Sequence, residues 1–207
     1  MSKVHQGRRA NRGTLLAAGA AVGLLAGCAS PPPPMAHADV LSNVRTVAVL
    51  PFVDAPGPKG QGSGQVIVNA AVAELYKCPG IQVVESARLK AILDEVDLKI
   101  FNDPQVASRI GKRAGADVVF LGEVTQYDAQ QEYGSVRVTL VSGASTKYTH
   151  RVGLSVRAVA VADSRVVYAE LGQGTSDQGF SPAAKAAAEE ALRSWRRFYE
   201  ARNAARK

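Results

Sequence analysis

Hydrophobic positions along this chain change character twice. From Thr14 to Ala26 the run TLLAAGAAVGLLA is almost wholly apolar, from Pro31 through about Asp39 there is little hydrophobic pattern, and from Val44 onward apolar residues recur at strand and helix periods. VRTVAVLPF, residues 44–52, is a β-branched run stopped by proline, the mark of a buried strand. A Gly- and Pro-rich loop follows, residues 53–64, and then Val68, Val72 and Leu75, with Ala71 beside them, predict a helix over 65–77 that Pro79-Gly80 stops. Ile81 to Val84 read as a second strand. Ser86 is placed to cap a helix over 86–97, in which Leu89, Ile92, Leu93 and Val96 fall at i, i+3, i+4 and i+7. Asp103-Pro104 supplies the cap and first residue of another helix, with Val106, Ala107 and Ile110 inward and Gly115 beyond its end.

The second half of the chain is strand-rich. DVVFLGEVT, residues 117–125, is a third buried strand that becomes polar through Gln131. Val136, Val138 and Leu140 alternate with Arg137 and Thr139, and Val152, Leu154 and Val156 alternate with Arg151, Ser155 and Arg157, so these segments are strands with one wet face. Asp163-Ser164-Arg165 turns the chain into a last strand, Val166 to Leu171. Ser181-Pro182 opens an alanine-rich helix with Ala184, Ala188, Ala191, Leu192, Trp195, Phe198 and Tyr199 on one side. The expected fold is α/β, a mixed β-sheet with flanking helices in the order β-α-β-α-α-β-β-β-α, preceded by a signal peptide and a proline-rich tether.

The thirteen apolar residues 14–26 are too few to cross about 30 Å of hydrocarbon as a helix. They follow Lys3, Arg8, Arg9 and Arg12 with no acidic residue between, which is the layout of a secretory signal. Leu25-Ala26-Gly27-Cys28 resembles the lipobox of bacterial lipoproteins, and the resemblance implies cleavage before Cys28 and a diacylglycerol on its thiol. Pro31 to Pro34 then predict a stiff extended spacer. The expected divisions are residues 1–27 as lipoprotein signal peptide, 28–43 as lipidated tether and 44–203 as the α/β domain. Ala29 and Ser30 place no aspartate after the lipid site, so in a cell with two membranes the expected location is the outer membrane, facing the periplasm.

These divisions change the reading of charge. The whole chain carries 25 basic and 18 acidic residues, +7, but four of the basic residues and none of the acidic lie in 1–27, leaving +3. Charge therefore gives no support to nucleic-acid binding. Once Cys28 is lipidated Cys78 is the remaining cysteine, so no internal disulfide can staple the domain. In Lys77-Cys78-Pro79-Gly80 it reads as a small half-buried apolar residue, with an intermolecular disulfide left open.

In order, VRTVAVLPF, the Gly-rich loop and helix, IQVVES with ARLKAILDE, IGKRAGADVVFLGEVTQY and SVRAVAVADSRVVYAE resemble the CsgG-like family of envelope lipoproteins over roughly residues 44–200. Pro51-Phe52, Gly115-Ala116-Asp117 and Gly122-Glu123 are the distinctive parts. The resemblance implies an envelope protein of the type of the curli assembly and transport component, similar in fold to lipoprotein activators of peptidoglycan synthases and to the amino-terminal domain of TolB. The curli subunit adds two long membrane-crossing hairpins. Residues 128–157 are a counterpart of the first, but Gly172 to Gly179, expected as a short link, leaves no room for the second, since a crossing strand takes about 9 to 11 residues.

Catalytic and metal-binding patterns are sparse. Beyond His5, the histidines are His37, in the tether, and His150, which reads as surface or partial core, so no pair has metal-ligand spacing. Asp94, Glu95 and Asp97 read as a solvated helix face. Gly60-Gln61-Gly62-Ser63-Gly64, with Glu85 about twenty residues on, mimics a dinucleotide fingerprint, but the last glycine spacing is two instead of three and the loop does not turn directly off the strand. The expectation is a non-catalytic protein with no metal, no small-molecule substrate and no cofactor beyond the covalent lipid on Cys28. It acts in envelope assembly by binding envelope proteins or copies of itself; the alternative is a subunit of a CsgG-like outer-membrane secretion complex. The candidate partner-binding residues are Arg193, Arg196 and Arg197 on the terminal helix, and Val136, Val138 and Leu140 on a strand that can extend the sheet edge.

Overall fold

The computed structural model describes residues 37–94, 103–138 and 141–206, all within the compact unit formed by residues 32–207. A short helix α1 (Ala38–Leu41) leads into strand β1 (Thr46–Val49), a 3₁₀ turn at Pro58–Gly60, helix α2 (Ser63–Leu75), strand β2 (Gln82–Val83), helix α3 (Ser86–Leu93) and helix α4 (Pro104–Ala114). Three long strands follow, β3 (Val118–Val138), β4 (Val141–Ala160) and β5 (Val166–Ser176), and then helices α5 (Phe180–Ala191) and α6 (Arg193–Ala204). The sheet order is β2-β1-β3-β4-β5, with β1 parallel to both β2 and β3 and the remaining pairs antiparallel. The expected mixed α/β fold and the order of its main elements are therefore observed.

Period-two alternation sorts side chains to the two sheet faces. Val47, Val49, Val118 and Phe120 join the core under α2, α5 and α6, while Ala48, Leu50, Val119 and Leu121 join a second core under α3 and α4. The parallel centre is thus buried on both faces. On β4, Val152, Leu154 and Val156 are buried while Arg151, Ser155 and Arg157 stay partly exposed, giving the single wet face that alternation predicts.

Local chemistry explains the ends of several elements. Asp103 caps α4, its Oδ1 accepting from the backbone N–H groups of Gln105 (2.7 Å) and Val106 (3.2 Å), and Gly115 ends that helix at φ 70°, where a side chain would be strained. Asp117 explains the Gly-Ala-Asp motif: its Oδ2 accepts from the backbone N–H groups of Arg45 and Thr46, both at 2.9 Å, and its own N–H donates to the Thr46 carbonyl. Beyond Pro51-Phe52 the chain stays beside β3, with Val53 N–H bonded to the Gly122 carbonyl.

Several expectations need correction. Helix α2 buries Ile67, Ala71 and Leu75, whereas Val68 and Val72 are only half-buried. The N-cap of α3 is Glu85, not Ser86, which is the first helical residue; Leu89 and Ile92 are buried as expected, and Val96 lies outside the described residues. The last strand runs to Ser176 rather than Leu171, because Gly172 and Gly174 pair with Leu154 and Val152. The connection to α5 is therefore residues 177–179. Leu41 is fully buried and belongs to the core, so packing begins before residue 44. Finally, the terminal helix is two helices, because Leu192 (φ −102°, ψ 6°) leaves helical geometry.

The α5–β5 contact is unusually close. A Cβ built on Gly172 would collide with the carbonyl oxygen of Ala187, and one on Gly174 with that of Ala183. Ala183, Ala184, Ala187, Ala188 and Ala191 are essentially inaccessible to solvent. Alanine on the helix and glycine on the strand let the two backbones approach, which maximises dispersion contacts at the cost of tolerance. Gly174→Ala should accordingly lower stability by about 3 kcal/mol, as an overpacked site does. Ala169→Val, on the exposed part of the same strand, should change it by no more than about 0.5 kcal/mol. Urea unfolding checks both, and an unshifted midpoint for Gly174→Ala would refute the close seam.

Candidate interaction surfaces

Strands β3 and β4 form one hairpin whose pairing runs from Val118–Ala160 to Val138–Val141, broken by a bulge at Thr125. Strand β5 accompanies it only as far as the His150–Ser176 pair. On the other side, β1 ends at the Val49–Phe120 pair and the last backbone bridge joins Val53 to Glu123. Residues 130–138 and 141–149 therefore continue as a two-stranded ribbon with no third strand on either edge among the described residues. At about 3.4 Å per residue the ribbon is about 30 Å long. Val136 and Val138 lie in it, paired with Gly143 and Val141, while Leu140 lies outside the described residues.

At its base the ribbon is fastened to α5. Tyr127 stacks on Phe180 (4.0 Å between ring centres, 10° between planes), and His150 meets the edge of the same ring at 4.7 Å, its Nδ1 3.3 Å from the Ser176 carbonyl. His150 is thus a half-buried packing residue. Across the ribbon base, Arg151 grips Asp128 through Nε (3.0 Å) and Nη2 (3.2 Å), and that guanidinium bond holds the Asp128 carboxyl below the usual carboxylate range. Tyr148, on the free part of β4, is 49 % exposed.

The three arginines expected to act together on the terminal helix do not share one role. Arg193 and Arg197 are exposed. Arg196 instead reaches back to α2, where its Nη1 lies 3.2 Å from Oε2 of Glu74, a carboxylate only 2 % exposed. Lys77 completes that site from the other side at 2.5 Å, and Glu189 and Glu200 stand 3.6 Å from the same guanidinium. This buried pair was not legible in sequence, because Glu74 and Arg196 are 122 positions apart. Beside it Cys78 is buried, and desolvation pushes its thiol up to about 12, so it stays protonated and unreactive in the fold.

In the Gly-rich loop the Asp54 carboxylate accepts from the N–H groups of Gly62 (2.8 Å) and Gly64 (2.7 Å), and Ser63 Oγ accepts from Ala55 N–H (2.9 Å). The protein's own carboxylate thus occupies the position at the start of α2 that a phosphate would need. An apolar cleft of about 420 Å³ lies between α2 and α3 over β2, walled by Val68, Val72, Val83, Leu89 and Leu93. Among the described residues, no three His, Cys, Asp or Glu side chains are gathered to hold a metal, and no helix is long and apolar enough to cross a membrane. Cys28, Glu95 and Asp97 lie outside the described residues.

An α/β domain with an extended hairpin, and with a loop closed on itself instead of on a ligand, is the class that fold and surfaces define. The chain belongs to the family of the curli production assembly/transport component CsgG, whose model matches residues 36–186. Its fold is similar to that of several solved proteins. A lipoprotein from Neisseria meningitidis has 14% identity over 64% of this chain and 81% of that one, with a TM-score of 0.44. The PelC dodecamer from Paraburkholderia phytofirmans has 14% identity over 74% of this chain and 88% of its own, with a TM-score of 0.47. For LpoB of E. coli the values are 12%, 82%, 83% and 0.40. No curated protein matches the chain in a sequence search.

Removing Arg196 leaves Glu74 buried against one cation in place of two. Arg196→Ala should therefore cost about 3 kcal/mol, whereas Arg197→Ala should stay within about 0.5 kcal/mol. Denaturant titrations of the two variants read this difference directly, and equal stabilities would show that the pair does not hold α6 to α2.

Proposed function

We propose that this protein is a lipid-anchored, non-catalytic component of cell-envelope assembly that works by binding envelope proteins or copies of itself. In this reading residues 1–27 are removed, Cys28 carries the lipid, and residues 28–37 form the tether that holds the domain in the periplasm, at the outer membrane where the cell has two. The lipobox-like Leu25-Ala26-Gly27-Cys28 and membership of the CsgG family support it. The carrying observation is the β3–β4 ribbon, whose two edges of backbone donors and acceptors are unpaired among the described residues beyond the supported sheet. An isolated two-stranded ribbon is only marginally stable in water, so pairing of an edge with another chain adds what the domain itself does not supply. No cofactor beyond the lipid enters this reading, and neither nucleic acid nor a small-molecule substrate is invoked.

A second reading, a subunit of a CsgG-like secretion complex, draws on the same ribbon. Its free limb, residues 141–149, has nine residues, near the about 9 to 11 of a membrane-crossing strand. Against it, residues 177–179 cannot hold a second crossing hairpin between β5 and α5.

Two experiments test the proposal. Cys28→Ser should abolish incorporation of labelled palmitate and leave an uncleaved precursor; label in that variant would sink the anchor. For the ribbon, the full chain in non-ionic detergent should self-associate or crosslink to envelope proteins in a manner that survives high salt, since backbone pairing is not screened. Tyr148→Lys should weaken that association by about tenfold or more, while Arg193→Glu with Arg197→Glu should leave it intact. Association that disappears with salt and with the arginine pair, but not with Tyr148→Lys, would transfer the function from the ribbon to the basic helix.

A further inference from the structure

The last turn of α6 is stapled to the incoming chain. Tyr199 donates its hydroxyl proton to the Leu41 carbonyl (2.8 Å), and Arg202 Nη1 donates to the Val44 carbonyl (3.4 Å) while its guanidinium lies 5.5 Å from the Tyr199 ring centre. Beside these contacts is a cavity of about 340 Å³ lined by Arg45, Gly80, Tyr199, Arg202, Asn203 and Arg206. Three arginines, one just before β1 and two from the end of the chain around α6, thus line one pocket. Cations near a helix C-terminus are favourable in themselves, which accounts for Arg202 and Arg206. It does not account for Arg45, which comes from a segment 157 positions earlier than Arg202. None of the three has a carboxylate partner among the described residues. Asp117 is bonded to the backbone of Arg45 and Thr46 and does not line the cavity.

We propose that this pocket binds the phosphate group of an anionic phospholipid at the membrane that holds the protein. Arginine forks match phosphate oxygens bidentately, and Asn203 adds an amide that can donate to the same group. The lipid, rather than free phosphate, follows from position, and this step rests on the anchor proposed above. Nine residue steps separate Cys28 from His37, a chain length that spans at most about 32 Å. The stapled end of the domain, where α1 and β1 meet α6, is the end the tether reaches first. On a tether of this length the pocket is within reach of the headgroup layer, where basic side chains are attracted to anionic lipid. Headgroup binding would orient the domain on its tether and point the remaining surfaces, including the ribbon, in a defined direction.

The test is calorimetric titration of the full chain in non-ionic detergent with a short-chain phosphatidylglycerol, with phosphatidylcholine of the same chain length, and with inorganic phosphate. Phosphatidylglycerol should bind best, and more weakly as salt rises. Arg45→Gln combined with Arg206→Gln should weaken it about twenty-fivefold, at roughly fivefold for each surface arginine. Both side chains are exposed and leave the Arg202 staple in place, and a native circular dichroism spectrum and melting curve will show that the variant is folded. Wild-type affinity in the double variant would overturn the proposal. So would phosphatidylcholine binding as tightly as phosphatidylglycerol, which would mean recognition of acyl chains, or inorganic phosphate binding as tightly, which would mean a free-anion site. Palmitate labelling of the same preparation is read separately. A labelled protein that does not discriminate the lipids refutes the pocket alone, and an unlabelled protein that does discriminate them refutes the anchor alone.

Discussion

The near-contact of two backbones, α5 on β5, is the constraint from which the carboxyl-terminal half of the molecule takes its shape. Gly172 and Gly174 have no side chain to hold the helix away, and the alanines facing them have only a methyl group. With α5 set so close, the break at Leu192 sends α6 across the same core. Trp195 is then driven wholly inside, meeting Phe120, Tyr168 and Tyr199 edge-on or tilted with ring centres 4.8 to 5.5 Å apart. From Trp195 the helix carries Tyr199 to the Leu41 carbonyl and Arg196 to Glu74. A residue larger than glycine on β5 would thus be felt at both ends of the chain.

The sheet divides its labour along its width. Its parallel centre is covered on both faces and carries the continuous apolar runs that such burial demands, while β4 and β5 are covered on one face and alternate. Buried apolar contacts are concentrated where β1 and β3 lie between helices, and among the described residues the ribbon that leaves this support has only its own ladder. Regions with few buried contacts are where opening and partner exchange cost least. Fastening of the ribbon base by Tyr127, Phe180, His150 and the Asp128–Arg151 pair gives it a rigid origin. In the proposed function that origin is what lets a free edge meet a partner in a set direction.

Closure of the Gly-rich loop separates two meanings of a glycine pattern. Glycines before a helix suit a phosphate, but here Asp54 takes the N–H groups of Gly62 and Gly64. Departures in spacing already argued against the nucleotide reading, and the geometry supplies the reason: a bound anion would have to displace a carboxylate ten residues or fewer away in the chain. Arg196 makes the opposite point. On a helical projection it belongs with Arg193 and Arg197, yet one of these three neighbours is committed to a buried glutamate and the other two are exposed.

Element type and order were legible in the sequence because they rest on local periodicity. The run VRTVAVLPF, the stripe at Leu89 and Ile92, the Asp103-Pro104 cap and the alternation at 152–156 each act within a few residues, and each appears in the fold. The basic residues before Thr14, the apolar run and Cys28 are likewise a linear pattern, and the proposed anchor rests on it without any fold. Tertiary structure alone decided what depends on distant partners. It continued β5 through Gly172 and Gly174, which have no strand preference but fit beneath an alanine helix, and it joined Glu74 to Arg196. It also gathered Arg45 with Arg202 and Arg206. The physical reason is the same in each case: periodicity reports which face of an element is buried, but the neighbour that covers it, and the charge that neighbour brings, are set by packing across the whole chain.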